Sequence, residues 1–194
     1  MTCSRRLAGG FSLLEVLVSI LMLGAGLLGA AGMLMTSLRS ASESAVFSAA
    51  VDLARDLSEK LRANTAIAAR NDATNPYLLA LGAGDAAPAS ALACLGEASC
   101  NAAQLAAWDV HEWALRVQAA LPEARLVVCF DEAFARAEQG VWACTRTGRT
   151  LAVKLGWTPR LGPKAEADGA ASPPRLVMQL SSGHDGDGHG PEGF

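Results

Sequence analysis

Five side chains carry most of the chemical possibilities of this chain. They are Glu15, at the start of an uncharged apolar run, and Cys94, Cys100, Cys129 and Cys144, in the more polar remainder. A carboxylate at the centre of a membrane helix costs on the order of 3 kcal/mol, less near an interface, and is usually retained for a purpose. Cleavage between Gly10 and Phe11 would supply a partner: Phe11 would gain a free α-amino group one helical turn from Glu15, or on a neighbouring copy, and the pair would neutralise both charges. The cysteines invite either disulfides or metal. There is no CxxC pair, and the nearest histidine, His111, lies on a tryptophan-bearing segment, so zinc is disfavoured. His184, Asp185, Asp187 and His189 in the tail GHDGDGHG could chelate a transition metal weakly, but a solvated tail is the better reading. Ser12, Ser19 and the three histidines form no nucleophile elbow, and no Gly-rich phosphate loop occurs. Asp109 and Glu112 beside His111 read as the solvated face of a helix. The sequence therefore points to no catalysis, no cofactor and no bound metal.

The element that must position Glu15 is the segment Val16 to Met35, VLVSILMLGAGLLGAAGMLM, which lacks any charge. At ~1.5 Å per residue it spans roughly 30 Å, the depth of a bilayer core. A secretory signal would be shorter and cut after its apolar region, whereas Gly9-Gly10 precede this one. Arg5 and Arg6 are the only basic residues before Arg39. The positive-inside bias thus puts the N-terminus in the cytoplasm and the bulk of the chain beyond the membrane. An uncleaved signal anchor carrying a periplasmic binding or enzymatic domain is the distant alternative. With 194 residues, 16 basic against 19 acidic, and a pI near 5.6, the chain suits one domain with an appended segment. No basic run exists to neutralise phosphates, which argues against nucleic acid as a partner.

After Met35 the helix is predicted to continue and turn amphipathic. Val46, Ala50, Leu53, Leu57 and Leu61 recur on one face, while Asp56 with Lys60 and Asp52 with Arg55 form local charge pairs on the other. Residues 71–93, rich in Ala, Gly, Asn, Asp and Pro, read as a loop. A second helix is predicted from Asn101 to Leu121, capped near Ser99 or Asn101 and stopped by Pro122, with Leu105, Trp108, Trp113, Leu115, Val117 and Leu121 as its apolar residues. Four strands are predicted at Arg125–Phe130, Val141–Arg146, Leu151–Trp157 and Arg175–Ser181, suiting an antiparallel sheet. Thr158–Pro174 reads as a long loop and Gly183–Phe194 as a disordered tail.

A short basic leader ending in Gly-Gly, followed by FSLLEVLVSILMLGAGLLG, resembles the class III signal of type IV prepilins and type II secretion pseudopilins. In that family a membrane peptidase cuts after the glycine and methylates the new terminal residue, and the fifth mature residue is a glutamate. The resemblance implies a cut between Gly10 and Phe11, N-methylation at Phe11, and Glu15 as the glutamate that pairs charge during assembly. The stretches MLMTSLRSASESA and LARDLSEKLRAN, with paired cysteines and an AAWDVHEW helix, further resemble the PilV group of pilus-modification proteins, which are minor pilins. The fold implied is α+β, a long N-terminal helix with a membrane-embedded first half, packed on a four-stranded antiparallel sheet with an extra helix and disulfides. The domains would be a leader at 1–10, a transmembrane and assembly helix at 11–38, a periplasmic globular domain at 39–182 and a flexible tail at 183–194.

On this resemblance Cys3 leaves with the leader and four cysteines remain in an oxidising compartment. Three pairings are open. Cys94–Cys100, closing a short loop, and Cys129–Cys144, joining adjacent strands, are favoured, contributing about 2 and about 3 kcal/mol by chain-entropy arithmetic. The function implied is a minor pilin that supports pilus assembly or initiation and pilus-dependent adhesion or motility; a minor pseudopilin of type II secretion is the alternative. Its partners would be the membrane, other minor pilins and the major pilin, the prepilin peptidase and methylase, the inner-membrane assembly platform and a large tip adhesin. The subunit would wait in the inner membrane, crossing it once, before entering a surface pilus.

Overall fold

A computed structural model describes residues 12–95, 99–133, 141–159 and 173–180. The predicted cleavage junction at Gly10 and Phe11, most of the predicted 158–174 loop and the predicted 183–194 tail lie outside the described residues.

Helix α1 runs unbroken from Leu13 to Ala63. It contains no proline, and its abundance of Ala and Leu favours helix throughout. The chain divides into two compact units, residues 1–41 and 42–194. Within the first unit the helix is long and apolar enough to cross a membrane, and its side chains are almost all exposed. Within the second unit, Val46, Ala50, Ala54, Leu57 and Leu61 are buried and Leu53 packs against them, the predicted stripe.

The second unit is the globular part. Asn64 closes α1, its side-chain amide donating to the Ala102 carbonyl at 2.7 Å. A four-residue helix α2, Thr65–Ala68, follows. Asn75, almost fully buried, then organises the turn by donating to the Arg70 carbonyl at 2.8 Å and accepting from the Tyr77 N–H at 3.0 Å. Helix α3, Ala102–Ala120, opens with a capping box: the Asn101 side chain accepts from the Gln104 N–H and the Gln104 side chain accepts from the Asn101 N–H, both at 2.9 Å. It ends at Leu121, before Pro122, whose ring cannot donate to a continuing helix.

Strands β1 (Leu79–Leu81), β2 (Arg125–Phe130), β3 (Leu151–Gly156) and β4 (Leu176–Leu180) form one antiparallel sheet in chain order. Register puts Leu126 beside Leu155, Val128 beside Val153 and Phe130 beside Leu151 on one face. That face closes a core with the buried stripe of α1 and with Val110, Trp113, Ala114 and Val117 of α3. The arrangement agrees with the fold that the resemblance implies: a long N-terminal helix packed through its second half on a four-stranded antiparallel sheet, with an extra helix and two disulfides.

The strand count agrees with expectation, but one strand is exchanged. Residues 141–146 form no strand, and Leu79–Leu81, inside the predicted 71–93 loop, does. The reason is topological. β1 and β3 flank β2 over Leu126–Val128, so the segment bonded to Cys129 reaches the β2 backbone only near its end, where the Arg146 N–H donates to the Phe130 carbonyl at 2.9 Å, while Lys154 takes the carbonyls of Val141 and Ala143. The segment lies over the outer face of the sheet instead. Predicted apolar positions on α3 also divide: Trp113 and Val117 are buried, whereas Leu105 and Leu115 are exposed.

Candidate functional site

The N-terminal end of α1 is built to carry Glu15 in its first turn. The N–H groups of Glu15 and Val16 both donate to the Ser12 carbonyl, at 3.0 and 3.2 Å, and the Leu14 N–H donates to Ser12 Oγ at 3.2 Å. Ser12 thereby takes up donors that a helix start leaves unsatisfied. An acidic side chain at this end also complements the positive pole of the helix. The hydroxyls deeper in the run are satisfied within the helix: Ser19 donates to the Glu15 carbonyl at 2.7 Å and Thr36 to the Gly32 carbonyl at 3.1 Å. A helix surrounded by hydrocarbon needs this internal satisfaction. Among the described residues no cation lies within ion-pair distance of Glu15. Gly24, Gly26, Gly29 and Gly32 have open space where a Cβ would stand, so packing inside this chain is not what requires them.

Further along, α1 and α3 are fastened by three polar contacts. Lys60 Nζ meets Asp109 Oδ1 at 2.7 Å, Arg116 meets Asp56 at 2.5 Å, and the Trp113 indole N–H donates to the Leu53 carbonyl at 2.8 Å. Two expectations are corrected here. Asp56 and Lys60 do not pair with each other, because partners on α3 lie within direct reach of both. Asp109 is not on a solvated face: it is buried, and the Tyr77 hydroxyl donates to its second oxygen at 3.2 Å. Burial first, and then the Asp109 charge, push the Tyr77 phenol well above its ordinary pKa. The predicted Asp52–Arg55 pair is present at 3.6 Å, on the exposed surface.

On the outer face of the sheet, residues 141–146 act as a strap. Cys94 is bonded to Cys100 and Cys129 to Cys144, the favoured pairings. The second bond joins a strand to the strap rather than two strands, correcting the expected setting. Lys154 projects from β3 beneath the strap. Its ammonium donates to the Ala143 carbonyl at 2.7 Å and to that of Val141 at 3.4 Å, and it pairs with Asp131 Oδ2 at 2.6 Å. Both side chains are almost wholly buried. Burial works against ionisation of Asp131, but the Lys154 hydrogen bond and charge, with the N–H groups of Ala133 and Thr145, outweigh it and hold the carboxyl below its usual range. Trp142 of the strap lies over the paired residues Arg125 and Gly156, with the Arg125 guanidinium 4.2 Å from the ring centre. A Cβ on residue 156 would stand 2.8 Å from that ring, so only glycine admits the tryptophan.

Cys129, Asp131 and Cys144 bring potential metal donors within 4.8 Å of one another. In the observed state the two sulfurs are bonded together and Asp131 is committed to Lys154, so the group has no ligand set to offer. Sequence reasoning missed Lys154, Asp131 and Tyr77. A single lysine within the apolar run LAVKLGW was the available signal for the first, since an ionised group in a covered strand needs a partner.

Residues 32–111 match the family described as Tt1218-like, Type IV pilin Tt1218. The matched stretch takes in the second half of α1 and the first part of α3 and covers less than half of the chain. No significant match to a curated protein or to a solved structure was found. The family match supports a type IV pilin, a structural subunit that assembles with other pilins, and agrees with the fold just described.

Proposed function

We propose that this chain is a minor pilin of the type IV pilus, of the PilV group, that contributes to pilus assembly or initiation and through it to adhesion or motility. The observation that carries the proposal is the state of α1. One continuous helix has a first half whose large apolar side chains are exposed, such as Leu23 at 65% and Leu28 at 77%, and a second half whose apolar stripe is fully covered. A chain that buries the same residue types so completely elsewhere leaves these for another environment. Lipid supplies it first, and helices of neighbouring subunits supply it after extraction.

In this proposal prepilin peptidase removes residues 1–10 and Phe11 is methylated. Residues 11–38 cross the inner membrane with their start facing the cytoplasm, residues 39–182 fold in the periplasm and residues 183–194 form a flexible tail. The assembly platform then moves the subunit to join minor and major pilins and a tip adhesin. Glu15 meets the amine of an adjacent Phe11 and sets the axial register of the incoming helix. Small residues at 24, 26, 29 and 32 let neighbouring helices approach closely.

The test is incorporation. Full-length Glu15→Ala should be processed, show methyl-Phe as its first residue by mass spectrometry, and stay in the membrane fraction, yet be strongly depleted from sheared pili. Wild-type levels of the variant in sheared pili would remove the pairing role. A native chain that still begins at Met1 would remove the prepilin assignment.

A further inference from the structure

The two edges of the sheet are not alike. At one edge β1 is three residues long, and beyond it the Gly82 N–H donates to the Asp85 carboxylate at 2.6 Å, so the chain turns before a longer edge forms. Short edges of this kind resist pairing with another chain. At the other edge β4 presents five residues, Leu-Val-Met-Gln-Leu, with no charge and no proline among them. The charge next to it, Arg175, is occupied: its guanidinium pairs with Glu43 at 3.5 Å and lies over the Trp157 ring at 5.6 Å.

The hydrogen bonds fix which backbone groups of β4 face outward. In an antiparallel ladder, successive residues turn their N–H and C=O to opposite sides. The Asp131 N–H on the Thr150 carbonyl at 2.8 Å continues the β2–β3 register, so Ala152 and Lys154 turn their backbone groups to β2 while Leu151, Val153 and Leu155 turn theirs to β4. The Arg175 N–H on the Leu155 carbonyl, also at 2.8 Å, agrees. The residues opposite these three, Leu180, Met178 and Leu176, therefore bond toward β3, and the N–H and C=O of Val177 and Gln179 point away from the sheet. Among the described residues no strand meets them. The side chains are incompletely covered as well. Leu176 and Met178 lie opposite the buried Leu155 and Val153 and pack against the core, yet both are only partly buried, whereas every residue of β3 is buried.

This edge is complementary to itself. When two copies of β4 run antiparallel about a two-fold axis at Met178, Val177 of one lies opposite Gln179 of the other, and each such pair exchanges both backbone bonds. Every outward donor and acceptor then has a partner. Met178 meets Met178 at an unbonded pair, where side chains come closest and flexible thioethers fill the gap. Leu176 of each copy falls opposite Leu180 of the other, which extends the apolar layer across the junction. No like charges are opposed, although each chain carries a net charge of −3.

We infer that β4 is an interaction surface for a second copy of this chain, joined edge to edge in antiparallel register about Met178 to make one continuous sheet. The contact belongs to the globular unit and does not rest on the pilin assignment, so the failure of either leaves the other standing.

The experiment is site-directed crosslinking of the full chain in detergent, with Cys3→Ser in every variant because the other four cysteines are already paired. Opposed Cα atoms of an unbonded antiparallel pair stand ~4.5 Å apart, within the ~4.4–6.8 Å span of a disulfide, whereas diagonal neighbours at ~7–8 Å are out of reach. Under mild oxidation Met178→Cys should give a covalent dimer as its main product on a non-reducing gel. Val177→Cys alone and Gln179→Cys alone should stay monomeric, and a mixture of the two should crosslink. Circular dichroism checks that each variant is folded, and if Met178→Cys is not, the mixture decides. A folded Met178→Cys chain that stays monomeric, a mixture that does not crosslink, or a Val177→Cys chain that dimerises alone would each overturn the inference. An equal yield from Arg55→Cys, on the exposed surface of α1, would assign the contact to the micelle and overturn it too.

Discussion

Leu23 and Leu57 lie on the same helix, yet one is 65% exposed and the other has no exposed surface. The helix propensity of the two regions is similar, and both are rich in Ala and Leu. What differs is how the apolar residues are spaced. Residues 16–35 are apolar on every side, whereas from Val46 onward apolar residues keep to one face and charges occupy the other. A helix with one apolar stripe can be satisfied by a single sheet. A helix apolar all round needs an apolar solvent or a ring of neighbours. Stability of the globular unit therefore does not depend on what covers the exposed first half of the helix.

The largest expected effect tests that separation directly. Trp113→Ala empties a fully buried site and removes the bond to the Leu53 carbonyl, and should lower the unfolding free energy of the globular unit by about 3–5 kcal/mol in denaturant titrations. Leu23→Ala, measured in the same way on the full chain in detergent, should change it by less than ~0.5 kcal/mol. Comparable losses in the two variants would mean that the two halves of the helix do not differ as described.

Lys154→Ala comes next, because it leaves Asp131 as a buried charge without its partner. A loss of about 3–5 kcal/mol is expected at neutral pH. The pH dependence sharpens this. Asp131 has a folded pKa below its unfolded value of about 3.9, so its contribution is present above that value and is lost as pH falls through the folded one. The fall in denaturation midpoint from neutral to strongly acidic pH should therefore be larger in wild type than in Asp131→Asn. An equal acid response in both would show that the pair does not govern it.

A smaller effect should separate the two disulfides. Replacing Cys129 and Cys144 by Ser opens the longer loop and should cost about 3 kcal/mol, against about 2 for Cys94 and Cys100. The first change should also increase hydrogen exchange in residues 141–146, while the second leaves them protected. Equal protection would show that Lys154 alone retains the strap.

Much of this was legible from residue spacing. The stripe on α1, the Asn101 cap and the Pro122 stop of α3, and three of the four strands follow from local patterns that need no partner to be recognised. The cross-helix pairs of Asp56 and Lys60 were not legible, because local spacing offers each the other while the closer partners are about fifty or sixty residues away. Residues 141–146 alternate as a strand would, but β1 and β3 flank most of β2, and the buried Lys154 takes the Val141 and Ala143 carbonyls that a ladder would use. Leu79–Leu81 is too short to announce itself within a turn-rich segment and becomes a strand because β2 offers an edge.

Chain order and composition by themselves determined that this protein has a long apolar helix bearing one acid at its start, and that four of its five cysteines follow that helix. Those properties depend on neighbours three or four positions apart. Tertiary structure alone decided which charges pair, that a lysine could be buried in a central strand, and that residues 141–146 lie as a strap over the sheet. Each depends on groups brought together from distant parts of the chain, where burial makes one arrangement of charges tolerable and the alternatives costly.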